Sequence, residues 1–442
     1  MKSKEFDVII IGAGAAGLMA AQELAGSGIK VLVLEARDRI GGRIFTQHLP
    51  NSNGLLEAGA EFVHGNLPLT KAILEEAGIP LLDLEGKTYQ LRKGELMADE
   101  AFIPDFAFLL EQLNNLKEDL PFAQFIHQYL QAEEHDELRE AVIRFAEGYD
   151  AADIQKVSTF ALREEWQTDG ATDAYLIAGG YSRLTDFLAA KSKAKGATIQ
   201  LSVVVQEIIW QINHVEIVCR DGQRYSGSQV IITVPVGVLR AKSGEPGYIH
   251  FSPEINTKKN ALAQLGYGAV IKVVLIFKSA FWENNQNLTS ENRITPELSF
   301  LFTDTSSFTA WWTRLPETTP MLTGWLGGPA ADEYKTKSNA SILNEALNAL
   351  EVIFNLNPDY LQEQLETSRV INWPADPFAR GAYSYATVSS GAALQELHQP
   401  IENTIYFAGE AYYQGPAMGT VEAALANGSE VAKIIIDKFT IK

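Results

Sequence analysis

The sequence predicts an α/β protein, α+β overall, built from two units. Three observations lead there. Residues 6–35 run strand, glycine-rich turn, helix, strand, acid. A second strand-to-glycine-to-helix pattern occupies residues 405–428. The 442 residues exceed what one hydrophobic core usually serves, and 46% apolar with 21% charged residues is an ordinary globular composition.

Composition narrows the partners. With 36 basic and 55 acidic residues the net charge is −19. Nucleic acid is excluded as a main partner, because phosphate binding needs clustered Lys and Arg. A cationic small molecule suits this balance better. The single cysteine, Cys219, rules out an internal disulfide and a Cys-rich metal cluster, and no metal site is expected. A reducing, cytoplasmic location is expected. The apolar run Val8–Ile11 flows through glycines into a second strand, unlike a signal peptide. No stretch approaches the ~20 apolar residues of a spanning helix. Ile434-Ile435-Ile436 is too short to anchor in a bilayer, so no membrane partner is expected.

Phe6–Ile11 reads as a buried strand that ends at Gly12-Ala13-Gly14-Ala15-Ala16-Gly17, a match to G-x-G-x-x-G. Leu18–Ala25 follows with helical spacing of Leu18, Ala21, Leu24 and Ala25. Gly26-Ser27-Gly28 ends that helix, and Lys30–Glu35 is a second strand closing on an acid. Each part has a job in a Rossmann-like fold. Gly12 permits the tight turn. Gly14 leaves room for a pyrophosphate against the backbone. Gly17 lets the helix pack on the strand. The helix N-terminus, at Ala15 and Ala16, offers N–H groups to phosphate. Glu35 can accept hydrogen bonds from a ribose and disfavours NADP.

The next residues are more specific. Glu35-Ala36-Arg37-Asp38-Arg39-Ile40-Gly41-Gly42-Arg43 resembles the E-A-R-x-R-x-G-G-R run of FAD-dependent amine oxidases. The resemblance implies a Rossmann-like FAD domain of the glutathione-reductase type. It places Arg37 near the adenosine, and Gly42 and Arg43 along the pyrophosphate and flavin. Glu57-Ala58-Gly59-Ala60-Glu61-Phe62-Val63-His64-Gly65 looks like the segment beside the flavin ring. Gly59 and Ala60 would allow the backbone close to that ring, with Glu61 and Phe62 next to them. His64 has two open readings: a substrate-side residue, as in polyamine oxidases, or a structural histidine. Gly179-Gly180-Tyr181-Ser182-Arg183-Leu184 resembles the family's return to the cofactor domain. Thr198–Val205 reads as strands, and Val205 matches a residue that binds adenine through its backbone. Val215–Val218, Asp221-Gly222 and 230–235 form a strand, turn, strand pattern, since Asp-Gly is a strong hairpin signal.

Lys272 lies in the apolar run 266–277. A charge there is costly to bury unless paired, which marks it as functional or as an edge residue reaching solvent. The context resembles the strand with the family's active-site lysine, which holds a water near flavin N5. Asn372-Trp373-Pro374 and 376–385 resemble the substrate-side segment. Trp373 would pack near the flavin and Tyr383 would form one wall of an aromatic cage. The second cage tyrosine matches Thr420, so a two-tyrosine cage is in doubt. Ala382 matches the cysteine that carries covalent flavin in some monoamine oxidases, so the FAD should be noncovalent.

Ile405–Glu410 and Gly419–Gly428 look like the C-terminal FAD motif. Gly409, Glu410, Gly419, Thr420, Val421 and Ala424 would approach the flavin, with a helix N-terminus stabilising the reduced ring. The two cofactor motifs must then meet, so the units interleave. Residues 1–80, 181–256 and 380–442 would form the FAD domain. Residues 81–180 and 257–379 would form a mixed sheet-plus-helix substrate domain, with 81–170 rich in helical pattern. The resemblance implies an amine oxidase: hydride transfer from an amine C–H to FAD, release of an imine, and reoxidation by O2 to hydrogen peroxide. A polyamine or another primary or secondary amine is favoured, and a pocket acid such as Glu61 would suit a second amine. The alternatives are an L-amino-acid oxidase, with Arg314 or Arg380 clamping the carboxylate, and a desaturase or porphyrinogen-type flavin oxidase. The sequence leaves the oligomeric state open.

Overall fold

The computed structural model describes residues 5–49, 54–65, 67–98, 103–167, 174–283 and 293–440; Gly170, the end of the helix-rich stretch, lies outside them. β1 spans Glu5–Ile11, α1 Ala15–Gly26 and β2 Val31–Leu34. Val8–Ile11 of β1 and all of β2 are apolar without alternation because both faces of their sheet are covered there. Gly12 sits at φ +110, where an L side chain would be strained, and a Cβ on it would also strike Thr233.

β1 lies inside an eight-stranded sheet. The order is Thr198–Gln200, β2, β1, Arg224–Ile232, His214–Cys219, Val205–Gln211, His250–Ser252. Ile405–Phe407 also pairs with Arg224–Ile232. That strand therefore forks. Residues 224–227 pair antiparallel with the hairpin strand, and 230–232 pair parallel with Ile405–Phe407. The parallel register sets Ile11 beside both Leu34 and Ile232, and Ile232 beside Phe407. Four strand ends from distant parts of the chain are thus level, at the edge where ligands of such sheets bind.

Several expected strands change shape. Thr198–Val205 breaks after Gln200, because Ser202 and Val203 donate to the carbonyls of Arg37 and Glu35 and follow the end of β2. A new strand then runs from Val205 to Gln211. Asp221-Gly222 turns an antiparallel hairpin, and its second strand starts at Arg224 and ends at Ile232, short of Pro235. The run 266–277 also splits. Gly268 exchanges backbone hydrogen bonds with Ala382 and Tyr383, so Gly266–Tyr267 pairs with Ser384–Tyr385 and only Val270–Phe277 joins the second sheet.

The second sheet is ordered Leu365–Asn372, Val270–Phe277, Met321–Gly327, Ala310–Trp312, Leu298–Thr303, Lys87–Arg92, Glu95–Ala98. Three strands, Leu81–Asp83, Lys87–Arg92 and Glu95–Ala98, open the stretch expected to be helical. Lys87–Arg92 is drawn into the sheet by parallel pairing with Leu298–Thr303. Helices Phe106–Asn115, Phe122–Tyr129, Asp136–Gly148 and Thr159–Gln167 follow and share one apolar cluster.

The last helix, Val421–Thr440, brings the C-terminal part back to α1. Gly428 makes this possible, since a Cβ there would lie 2.4 Å from the carbonyl oxygen of Ala16. Ile435 is buried against the first core, so the isoleucine run belongs to this packing. Among the described residues no helix is long and apolar enough to cross a membrane. Glu422, in the first turn of this helix, also caps helix Pro68–Glu76. It accepts from the amides of Leu69 and Thr70 at 2.8 and 2.7 Å and from the Thr70 hydroxyl at 2.6 Å. Glu422→Ala should lower the midpoint of denaturant unfolding, by an amount equivalent to about 2 kcal/mol, because buried donors lose their acceptor. An unchanged midpoint would show that the cap carries no stability.

Candidate active site

The level strand ends open on a cavity of about 1050 Å³ that extends to the second sheet. Of the site residues expected from sequence, all but Gly17 and the two candidate carboxylate clamps, Arg314 and Arg380, line it. Gly17 serves packing, since a Cβ there would lie 2.1 Å from the Gly12 carbonyl oxygen. A Cβ on Gly14 would meet nothing nearer than 3.9 Å, so the turn presents open backbone to the cavity. That is the cradle a pyrophosphate needs. The missing side chain of Gly59 also makes room for the Arg43 carbonyl, which a Cβ would meet at 1.8 Å, while Gly59 itself lines the cavity.

Glu35 is buried, and its two oxygens accept from the amides of Ala13 (2.8 Å) and Arg37 (2.9 Å). It stands beside Ala36, Arg37 and Val205 in the lining. Arg37 reaches Asp376 at 2.5 Å and lies over the Phe378 ring, so the E-A-R run is no solvated loop. Arg43 donates to the carbonyl of Ala382 at 2.6 Å and to Glu410 at 2.7 Å. Burial works against its charge, but Glu410 outweighs that and raises the guanidinium above its usual value. Thr420 caps the last helix: its hydroxyl accepts from the Ala423 amide at 3.2 Å and donates to the Ala417 carbonyl at 2.7 Å. The first turn of that helix starts at the cavity wall, beside Gly419, Val421 and Ala424.

Lys272 is no edge lysine. Its side chain is 1% exposed in the second sheet. The amine donates to Glu61 at 2.7 Å and to the carbonyls of Glu57 and Gly59 at 2.7 and 3.2 Å. Arg314 meets the other oxygen of Glu61 at 2.6 Å and also pairs with Glu317. Burial alone would push the Glu61 carboxyl up, but Lys272 and Arg314 outweigh it and hold the group below the usual carboxylate range. Glu61 is therefore already neutralised, which corrects its expected part in holding a second amine. Arg314 and Arg380 are likewise engaged, the latter with Glu245 at 2.6 Å, and neither lines the cavity. They are not free to clamp a carboxylate.

Aromatic side chains wall the cavity around Lys272. Trp312 faces the Lys272 amine, with 5.4 Å from nitrogen to ring centre. Phe62 packs on Trp312, Phe300 and His64 at ring separations of 5.5–5.7 Å. Trp373 donates to the Ala58 carbonyl at 3.0 Å, which ties it to the 57–65 segment. Burial lowers His64 to about 4, so its ring is neutral at ordinary pH, edge-on to Tyr149. The hydroxyl of Tyr383 donates to the carbonyl of Tyr149.

Two lining acids escaped the sequence reading. Asp150 and Glu165 are in hydrogen-bonding contact; burial is the main cause that raises both carboxyls, repulsion by Glu165 raises Asp150 further, and the hydrogen bond with Asp150 draws Glu165 back to about 7. Two carboxylates in contact out of water cannot both ionise, so the pair holds a proton near neutral pH. Asp150 Oδ2 is buried with no hydrogen-bond partner among the described residues. One sequence signal pointed to Asp150: an acid two residues past a helix end opposes the helix dipole. Glu165 carried none, because Glu164-Glu165 reads as an ordinary solvated helix face. The aromatic partners Trp312, Phe300 and Trp325 were equally silent, lying in strands that any core would fill.

Residues 15–436 match the family model for flavin containing amine oxidoreductases. Lysine-specific histone demethylase 1 homolog 3 of Arabidopsis thaliana is 28% identical over 98% of this chain and 30% of its own length. Polyamine oxidase 2 of Arabidopsis thaliana is 29% identical over 98% of this chain and 88% of its own. The chain thus spans under a third of the first relative and most of the second. A solved structure of a putrescine oxidase triple mutant superposes with a TM-score of 0.77 at 20% identity, covering 98% of this chain and 99% of that one, which establishes the same fold. The chain belongs to the flavin-containing amine oxidoreductases.

Proposed function

We propose that the protein oxidises an alkyl amine bearing a second cationic nitrogen, a polyamine in the simplest case, with oxygen as electron acceptor. The observation that carries this reading is the buried Asp150–Glu165 pair in the same cavity as Lys272. Asp150 Oδ2 is buried and has no hydrogen-bond partner among the described residues. A substrate ammonium would donate to that oxygen and displace the shared proton. When bound, FAD would supply the two-electron chemistry: acceptance of a hydride equivalent from the amine carbon and return of the electrons to oxygen as hydrogen peroxide. The flavin is assigned to residues 1–80, 181–256 and 380–442, bound without a covalent link. Ala382 offers no thiol, and Cys219, the only cysteine, is buried away from the cavity.

The chain's own groups then have separate tasks. Free alkylamines carry a proton up to a pH of about 10. The reacting nitrogen must lose it, and the apolar walls formed by Phe62, Trp312, Trp325 and Tyr383 favour the neutral form. His64 is neutral and sits against Phe62 and Tyr149, a wall that shapes the amine's path. Trp373, fixed by Ala58, limits where the amine carbon can rest. Lys272 supplies a held positive charge where oxygen becomes reduced. The imine leaves and hydrolyses in water.

Three outcomes test this reading. Asp150→Asn and Glu165→Gln should each raise KM for a diamine roughly 10- to 100-fold, the loss of a charge-assisted hydrogen bond, with little change for a monoamine. Equal effects on both substrates in a peroxide assay would refute the second-nitrogen site. For the unsubstituted enzyme, diamine KM should fall as pH rises through the pair's ionisation near neutrality, because the ionised form binds the ammonium; a flat profile would oppose it. Lys272→Met should slow reoxidation of the reduced flavin by oxygen without altering amine binding. Unchanged oxygen kinetics in stopped flow would remove its role.

A further inference from the structure

The geometry points to Arg314 and Glu61 as positioning residues that fix the Lys272 ammonium and set the charge it presents to the cavity. This rests on the role proposed above for Lys272. All three N–H groups of the ammonium have protein acceptors: the carboxylate of Glu61 and the carbonyls of Glu57 and Gly59. The amine therefore cannot swing without breaking a buried bond. Glu61 by itself would cancel the lysine charge. Arg314, 1% exposed and 2.6 Å from the second Glu61 oxygen, returns it. Glu317 balances Arg314 from the outer side, where its side chain is 24% exposed and partly solvated. Lys272, Glu61 and Arg314 together carry one net positive charge, which Glu317 offsets only from the outer, partly solvated side, so the inner end of the cluster is the Lys272 ammonium. Arg314 does not line the cavity, so it acts through Glu61 and not by touching substrate.

The groups that face Glu61 can be named element by element. Lys272 comes from the strand Val270–Phe277, and Arg314 from the segment after Ala310–Trp312, with Glu317 behind it. Glu57 ends the strand Leu55–Glu57, and burial first and then Glu61 raise its carboxyl to about 7. The Trp312 ring closes the remaining side. Glu61 is depressed in the folded state, so its contribution to stability is present above the ordinary carboxylate range and fades as pH falls through its lowered value. Without Arg314 that value rises, and the fading begins at higher pH.

The test is a set of variants of the purified flavoprotein: Arg314→Met, Arg314→Lys, Glu61→Gln, Lys272→Met and the Lys272→Met/Arg314→Met double. Arg314→Met is expected to slow flavin reoxidation by oxygen about tenfold. Arg314→Lys should recover most of the rate. On the Lys272→Met background, Arg314→Met should add nothing, because both changes remove the same effect. A second readout needs no turnover: the acid limb of the thermal-unfolding midpoint against pH should move to higher pH in Arg314→Met. Additive rate losses in the double variant, or an unmoved acid limb, would overturn the inference. If Arg314→Met does not fold, Glu61→Gln tests the same link through the reoxidation rate. If Lys272→Met alone leaves reoxidation unchanged, the role of Lys272 falls, while the acid limb still decides whether the clamp exists.

Discussion

Four parallel strands must end at one level for this site to exist, and they come from residues 5–11, 31–34, 224–232 and 405–407. Hydrogen-bond register enforces that level: shifting any strand by one residue would turn its buried side chains to the opposite face. Arg43 then joins the first motif to the last through Glu410, and Gly428 lets the final helix lie against the carbonyl of Ala16. The glycine turn after β1, the Arg43 segment and the start of the last helix meet at the same edge for this reason. Thr420 occupies a helix cap there, which explains a small hydroxyl residue at that place.

Two buried acid arrangements share the cavity wall and solve the same problem in opposite ways. Glu61 is ionised because two cations are built around it. Asp150 and Glu165 stand against each other out of water, and they keep a proton instead. A fixed internal charge suits a group whose task is constant through the reaction. A pair that can release a proton suits a partner that arrives and leaves with its own charge. The net charge of −19 is less informative than this local contrast, because surface charges are screened over about 8–10 Å.

Much of the fold was legible because local rules and the global sheet agree. The run from Phe6 to Glu35 states its strand, turn and helix directly through glycine spacing and unbroken apolar strands. Breaks at Gln200 and Gly268 were not legible. Each depends on backbone partners far along the chain, Arg37 in one case and Tyr383 in the other. The strand at Lys87–Arg92 was hidden for the same reason, since its pairing partner lies some 210 residues further on. The glycine-turn and C-terminal residues lining the cavity were readable from motif resemblance, whereas Glu165 was not, because burial cannot be seen in a Glu-Glu pair on a helix.

By itself the sequence determined that a glycine turn would face a phosphate-bearing cofactor, that the chain would carry a lysine in an apolar strand, and that no thiol would stand at Ala382. Those follow from residue type and local order. Only the tertiary structure decided which charges neutralise one another. It gave Glu61 to Lys272 and Arg314, took Arg314 and Arg380 out of reach of the cavity, and left Asp150 with Glu165. Charge pairing depends on distance and dielectric in space, and residues 61, 272 and 314 have no relation along the chain that would reveal either.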